Sequence, residues 1–212
     1  MSFEGFPVAA LDFYDDLEMD NSKSFWEANK HVYQESVRTP MLALIADLSD
    51  EFSSPGGRTT VFRPYRDVRF AKDKTPYKTH QGAYVAAGPA TGWYVEISAR
   101  GTRVGGGFYA ADGPRLTAIR AAMAEETTGK ALVRLLKRLE KAGFDIGGDR
   151  LKTSPRGYDT DHPRIDLLRC KQLIANKSYG FESDAIDAGL VDRVRADWKA
   201  LRPLVSWLRA VD

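Results

Sequence analysis

Thiols and imidazoles are scarce in this chain. One cysteine, Cys170, and three histidines are all that 212 residues supply. A lone cysteine cannot form a disulfide within the chain, so a reducing compartment, the cytoplasm, is the expected location. No two cysteines or histidines fall at a CxxC or HxxxH spacing, and neither HExxH nor GxSxG occurs. Asp159, Asp161 and His162, with His80, are the only grouping that invites a metal ion, and no ligand spacing supports it. No metal and no cofactor are therefore expected. Gly105-Gly106-Gly107 lacks the Lys-Ser/Thr that completes a phosphate loop, and a bulge or close backbone contact is the simpler reading. Cys170 stands outside any nucleophile motif, and its neighbours Leu167 and Leu168 point to burial.

Long apolar runs are absent too. No stretch approaches the ~20 residues that a membrane-spanning helix needs. The opening MSFEGFPVAALDFYDD has neither a basic start nor an extended apolar core, so it is not expected to be a signal peptide. Low-complexity segments and fixed-period repeats are missing as well. What is present is ordinary globular material, 43% hydrophobic and 28% charged. A chain of this length can bury a sizeable core.

Charge is unevenly spread. Arg63 to Lys78 holds six basic and two acidic residues, a formal +4, and Arg150 to Lys171 holds six and three, a formal +3. The whole chain carries +2, so everything else sums to −5. Two basic islands in an acidic background imply a local preference for anions rather than the broad basic surface of a nucleic-acid binder.

Periodicity predicts helices at 8–52, a sheet with the basic loop at 59–109, helices at 114–142, and a second basic island followed by helices at 150–211. Tyr33, Val37, Met41, Leu44, Leu48 and Phe52 share one helical face. Pro40 within that run predicts a kink or a division. Ser24 and Glu27 predict a capping box. Trp93, Val95, Ile97 and Ala99 alternate with Tyr94, Glu96, Ser98 and Arg100, a half-buried strand. Gly82 to Ala87 and Arg103 to Tyr109 are its expected antiparallel neighbours. Gly113-Pro114 opens a helix, Thr127 or Thr128 caps the next, and Gly143 ends it. Arg134, Lys137, Arg138 and Lys141 form its solvated face. Gln172 to Phe181 reads as a strand, and Leu190, Val194, Trp198, Leu201, Val205 and Leu208 line a last helix that Pro203 should bend. Strands joined by short turns, flanked by helices, predict a single α+β domain over 1–212 with a central antiparallel meander around 81–109.

The strongest functional candidate is the stretch RPYRDVRFAKDKTPYKTH. Arginine forks and lysine point charges suit phosphate or carboxylate, and Arg66, Arg69, Lys72, Lys74 and Lys78 are the expected ligand-binding residues, with Tyr77 stacking or donating. Arg156, Tyr158 and His162 of the second island are expected to join them. Asp161-His162 has the residue types of an orienter and a base, but neighbouring side chains diverge, and Asp161 is better read as the N-cap of a helix opened by Pro163. No catalytic residue is assigned. Two other readings stay open. One is a nucleic-acid module in which Tyr65, Phe70 and Tyr77 stack on bases. The other is a structural loop whose Asp67 and Asp73 neutralise its arginines, with function residing in a protein partner.

RDVRFAKDKTPYKTH closely resembles the signature of domain-of-unknown-function family 2461. NSKSFWEANKHVYQESVRTP and SPRGYDTDHPRIDLLRCK are similar to two further segments of that family. The resemblance spans nearly the whole chain. It implies a soluble, single-domain protein of bacterial type, and it brings with it neither a reaction nor a catalytic residue.

Overall fold

The computed structural model describes residues 2–181, 183 and 186–211. Helix α1 (Ala9–Met19) buries Ala10, Phe13, Tyr14 and Leu17. Helix α2 (Lys23–Val32) follows, capped by Ser22, whose hydroxyl accepts from Phe25 N. The cap therefore lies two residues before the expected Ser24, because Ser22 has the extended backbone that a cap requires.

Pro40 does not divide the long helical run. Residues Tyr33–Arg38 form a π-helical turn that leads directly into α3 (Thr39–Phe52). Proline cannot donate to the carbonyl four residues back. The wider turn absorbs this defect, with Thr39 donating to the Gln34 carbonyl through both its N–H and its hydroxyl. The predicted face from Tyr33 to Phe52 is buried throughout.

Strands β1 (Thr59–Val61), β2 (His80–Gly88), β3 (Thr91–Ser98), β4 (Gly101–Phe108), β5 (Asp145–Gly147) and β6 (Leu173–Gly180) form one sheet in the order β1-β2-β3-β4-β6-β5, antiparallel at every pairing. The fold is thus the expected α+β class. One sheet face carries Ala83, Val85, Trp93, Val95, Ile97, Val104, Leu173 and Ala175 into the core. Phe52 and Trp198 pack edge-on and stacked, respectively, against Trp93 there, which seats α3 and α7 (Leu190–Arg209) on this face. Pro203 lies inside α7 without splitting it. The opposite face presents Tyr84, Tyr94, Glu96, Arg103, Asn176 and Ser178, none of which belongs to the core. An antiparallel sheet covered on one side leaves such a face open to water.

Between β4 and β5 lie α4 (Gly113–Ala124) and α5 (Glu126–Lys141). Gly143, at φ +85°, ends α5 as expected. The α5 cap is Glu125 rather than either threonine. Its carboxylate accepts from Thr127 N and Thr128 N, and these bonds hold its pKa down at about 2. A carboxyl whose folded pKa lies below its ordinary value stabilises the fold above that ordinary value and loses the contribution as pH falls through the folded one. Thermal melts of wild type and Glu125→Gln should therefore converge as pH drops from about 4.5 toward 2. A gap that stays constant over that window would show that the cap carries no pH dependence.

Candidate functional site

The basic stretch leaves β1 and returns as a narrow ribbon. Arg66 N donates to Pro76 O and Lys78 N to Pro64 O, each at 2.8 Å, around a Tyr65–Tyr77 bridge. Two features fix this ribbon to the helices. The Asn21 side chain accepts from Tyr77 N and donates to Tyr77 O, at 3.0 and 3.1 Å. The Tyr77 ring stacks on Trp26 with centroids 4.4 Å apart and planes 9° from parallel. Tyr77 is buried, so it anchors the loop and is not free to stack on a ligand.

Within the lobe, charges neutralise one another. The Arg66 guanidinium bonds Asp73 and Thr75, and with the Thr75 N–H, the larger cause, it holds the Asp73 pKa at about 2. Arg69 grips Asp67 through Nε and Nη2 at 2.9 and 2.7 Å. Lys74 Nζ donates to the Val68 carbonyl at 2.9 Å. Lys72 is exposed and, among the described residues, has no ion-pair partner. Of the cations expected to bind ligand, Arg66, Arg69 and Lys74 are thus already engaged inside the loop.

Lys78 has a different position. Its Nζ donates to Arg63 O at 3.0 Å and sits 5.4 Å from the centroid of the Phe62 ring. Phe62 lies 6.5 Å from Tyr94, on the open face of the sheet. Tyr94 donates its phenol proton to Glu96 at 2.5 Å, and Arg103 pairs with the other Glu96 oxygen at 3.0 Å. Register explains the grouping. Gly82 faces Glu96 and Glu96 faces Arg103 across β2, β3 and β4, while His80, two residues before Gly82, shares their face. Burial is the main cause that lowers the His80 pKa; Lys78 and Arg103 push the same way, against Glu96. Burial also raises the Tyr94 phenol far above its ordinary value, helped by Glu96, so it remains a proton donor.

Glycines make this face flat. A Cβ at Gly82 would lie 2.4 Å from the Tyr94 hydroxyl, and one at Gly92 would lie 2.5 Å from that of Tyr84. Each tyrosine therefore lies across a glycine of the neighbouring strand. The result is a low aromatic floor bordered by Lys78, His80 and Arg103.

The second island is elsewhere. Arg63 to Lys78 joins edge strand β1 to the His80 end of β2, whereas Arg150 to Lys171 joins β5, on the opposite edge, to the Leu173 end of β6. The ends differ as well, since His80 aligns with Ser98 and Gly101, and Leu173 aligns with Phe108 and Thr91. The structure does not bring the two islands together, and the expectation of one shared site is corrected on this point. Arg156 is exposed and unpaired among the described residues. Tyr158 meets His162 edge-on at 6.3 Å. His162 Nδ1 accepts from Arg164 N at 3.1 Å, so His162, not Asp161, is bonded to the turn preceding α6 (Ile165–Leu168). Cys170 is buried and burial raises its pKa, which makes it a poor nucleophile.

Among the described residues, no group of three or more His, Cys, Asp or Glu side chains is placed to hold a metal ion, and no helix is long and apolar enough to cross a membrane. The molecule is thus an α+β domain with one open, polar and aromatic sheet face beside an anchored basic loop. It belongs to the family described as conserved hypothetical protein (DUF2461), whose match covers residues 9–207. No curated protein matches the chain.

Tyr94, Glu96 and Arg103 were not among the residues singled out from the sequence. Their only signal there was the alternation that turns Tyr94, Glu96 and Ser98 away from the core. The register that sets Arg103 beside Glu96 has no one-dimensional signature.

Proposed function

We propose that this protein binds a small phosphate- or carboxylate-bearing ligand where the basic loop meets the open sheet face. The observation that carries this reading is the gathering of Lys78, Glu96 and Arg103 around His80, with Arg103 paired to Glu96. Arg103 neutralises Glu96 and the Tyr94 phenol donates to it, which leaves Lys78 and the remaining Arg103 donors for an anion. Tyr84 and Tyr94 offer a flat bed to an apolar or planar body. This retains the anion-binding reading of the sequence but moves its centre from Arg66 and Arg69 to Lys78 and Arg103. A cytoplasmic location, as the single cysteine implies, suits a small-metabolite ligand.

Inorganic phosphate titrated into isotope-labelled protein tests the reading. Amide resonances of Lys78 to Gly82 and of Arg103 to Gly105 should shift first and saturate. Shifts that stay linear, or that begin at Arg156, would contradict it.

A second reading rests on one further observation. Phe70 is 95% exposed, with the Arg69 guanidinium 5.9 Å from its ring centroid, and Tyr65 is 45% exposed. Aromatic rings interleaved with cations are a platform for single-stranded nucleic acid. In that case affinity should fall steeply with added salt, and Phe70→Ala should lose about 1–3 kcal/mol. Salt-independent behaviour would exclude this alternative.

A further inference from the structure

One row of residues crosses the open face of the sheet. Register aligns Tyr84 on β2 with Tyr94 on β3, Gly105 on β4, Asn176 on β6 and Asp145 on β5. Residues paired across an antiparallel sheet share a face, so all five lie on the open one. A Cβ at Gly105 would collide with Asn176 Oδ1, so the Asn176 side chain lies across that glycine as the tyrosines lie across theirs. Tyr84, Tyr94 and Asn176 are each half-buried, and none is closed off from water.

The Asn176 side-chain amide has no hydrogen-bond partner among the described residues. It offers a donor and an acceptor side by side, the pattern that matches the neighbouring acceptor and donor of an adenine edge. Charge gives the row a direction. Arg103 lies two residues from Gly105 on the same face, and Lys78 borders Phe62 beside Tyr94. Asp145 places an exposed carboxylate at the other end, next to Asn176. Two strands separate β6 from β2, a distance of about 14 Å between their backbones. Inorganic phosphate is too small to touch both Asn176 and Lys78. A ligand that does so carries its anion and its hydrogen-bonding edge at opposite ends of a flat body.

We infer that the ligand of the anion site proposed above is a nucleoside monophosphate with an adenine-type base, an inference that rests on that reading. The base lies on Tyr94 and bare Gly105 with its edge against the Asn176 amide. The phosphate meets Lys78 and the Arg103 donors that Glu96 leaves over. Asp145 disfavours the reversed pose, which would set the phosphate beside a carboxylate. Base stacking on an aromatic ring needs a flat surface rather than a deep cleft, and Gly82, Gly92 and Gly105 supply it.

Isothermal titration of adenosine 5′-monophosphate and of ribose 5-phosphate into the full-length protein, at equal ionic strength, separates the base from the anion. The nucleotide should bind about tenfold more tightly than the sugar phosphate. Asn176→Ala should remove most of that preference while leaving the melting temperature and the ribose 5-phosphate affinity unchanged, because the amide bonds nothing else among the described residues. Tyr94 provides a second check: Tyr94→Phe keeps the ring and should keep the preference, whereas Tyr94→Leu should lose it. Equal affinities for the two ligands in the wild type, or a preference untouched by Asn176→Ala, would overturn the inference. In that event a parallel loss of both ligands in Lys78→Gln would show that the anion site itself stands. Failure of both ligands to saturate would remove the anion site and this inference together.

Discussion

Replacing Tyr77 by alanine should destabilise the protein by about 3 kcal/mol and free the basic loop from the helices. The ring is buried and stacked on Trp26, with Tyr65 tilted against it at 5.6 Å. Deleting it opens a cavity beneath the ribbon and exposes the face of Trp26. In a domain of this size a loss of that magnitude lowers the melting temperature by about 6–12 °C. The Asn21 clamp acts on the Tyr77 backbone and survives the substitution, so the loop should loosen rather than unfold. Tyr77→Phe is the control. No hydrogen bond is made by the Tyr77 hydroxyl among the described residues, so this variant should melt close to wild type. Anion affinity should fall with Tyr77→Ala, because Lys78 and His80 follow directly in the chain. Calorimetric melts of both variants decide the matter. An alanine variant within about 1 kcal/mol of wild type would mean that the stack does not anchor the loop.

The second large effect is expected at Arg164. Although it belongs to the second basic island, it is 8% exposed and points inward. Its Nε donates to Met123 O at 2.8 Å, Nη2 to Ala124 O at 2.6 Å, and Nη1 to Glu126 at 3.1 Å. These acceptors close the C-terminal end of α4 at its junction with α5. Gly129 makes room for the side chain, since a Cβ there would lie 2.6 Å from Arg164 Nε. Arg164→Met should cost about 3 kcal/mol, chiefly from carbonyls left without donors, because Glu126 is exposed and keeps Lys130. Arg164→Lys should not restore the loss, since one ammonium cannot reach three acceptors that a planar fork spans. Chemical denaturation of both variants measures this. Full rescue by lysine would show that charge alone matters here.

Arg164 also marks the limit of what the sequence revealed. Arginine in a cluster of cations reads as an anion seeker, and only the packing of α4 against α6 shows that this one is consumed internally. The same holds for Arg66 and Arg69. Their partners Asp73 and Asp67 were visible as neighbours, and the structural reading anticipated the pairing, but loop geometry alone decides whether they pair. Helical faces were legible because burial repeats along them, as in Tyr33 to Phe52 and Leu190 to Leu208. Strand β5 was not, since three residues at an edge carry no period. Glu125 escaped notice as a cap because serine and threonine are the common cappers. The two islands were expected to meet, and the strand order that separates them cannot be read from spacing.

Even so, the basic stretch from Arg63 to His80 keeps its place in this account, for a reason that composition hid. Its arginines hold the loop's shape, and its final residues bring the Lys78 ammonium and the His80 ring to the sheet face. The central claim is therefore that anion binding depends on Lys78 and Arg103 and is indifferent to Arg156. Isothermal titration of inorganic phosphate into wild type, Lys78→Gln, Arg103→Gln and Arg156→Gln tests it most directly. The account predicts a loss of about tenfold in affinity for each of the first two variants and none for the third. Unchanged affinity in Lys78→Gln and Arg103→Gln, or an equal loss in Arg156→Gln, would contradict it.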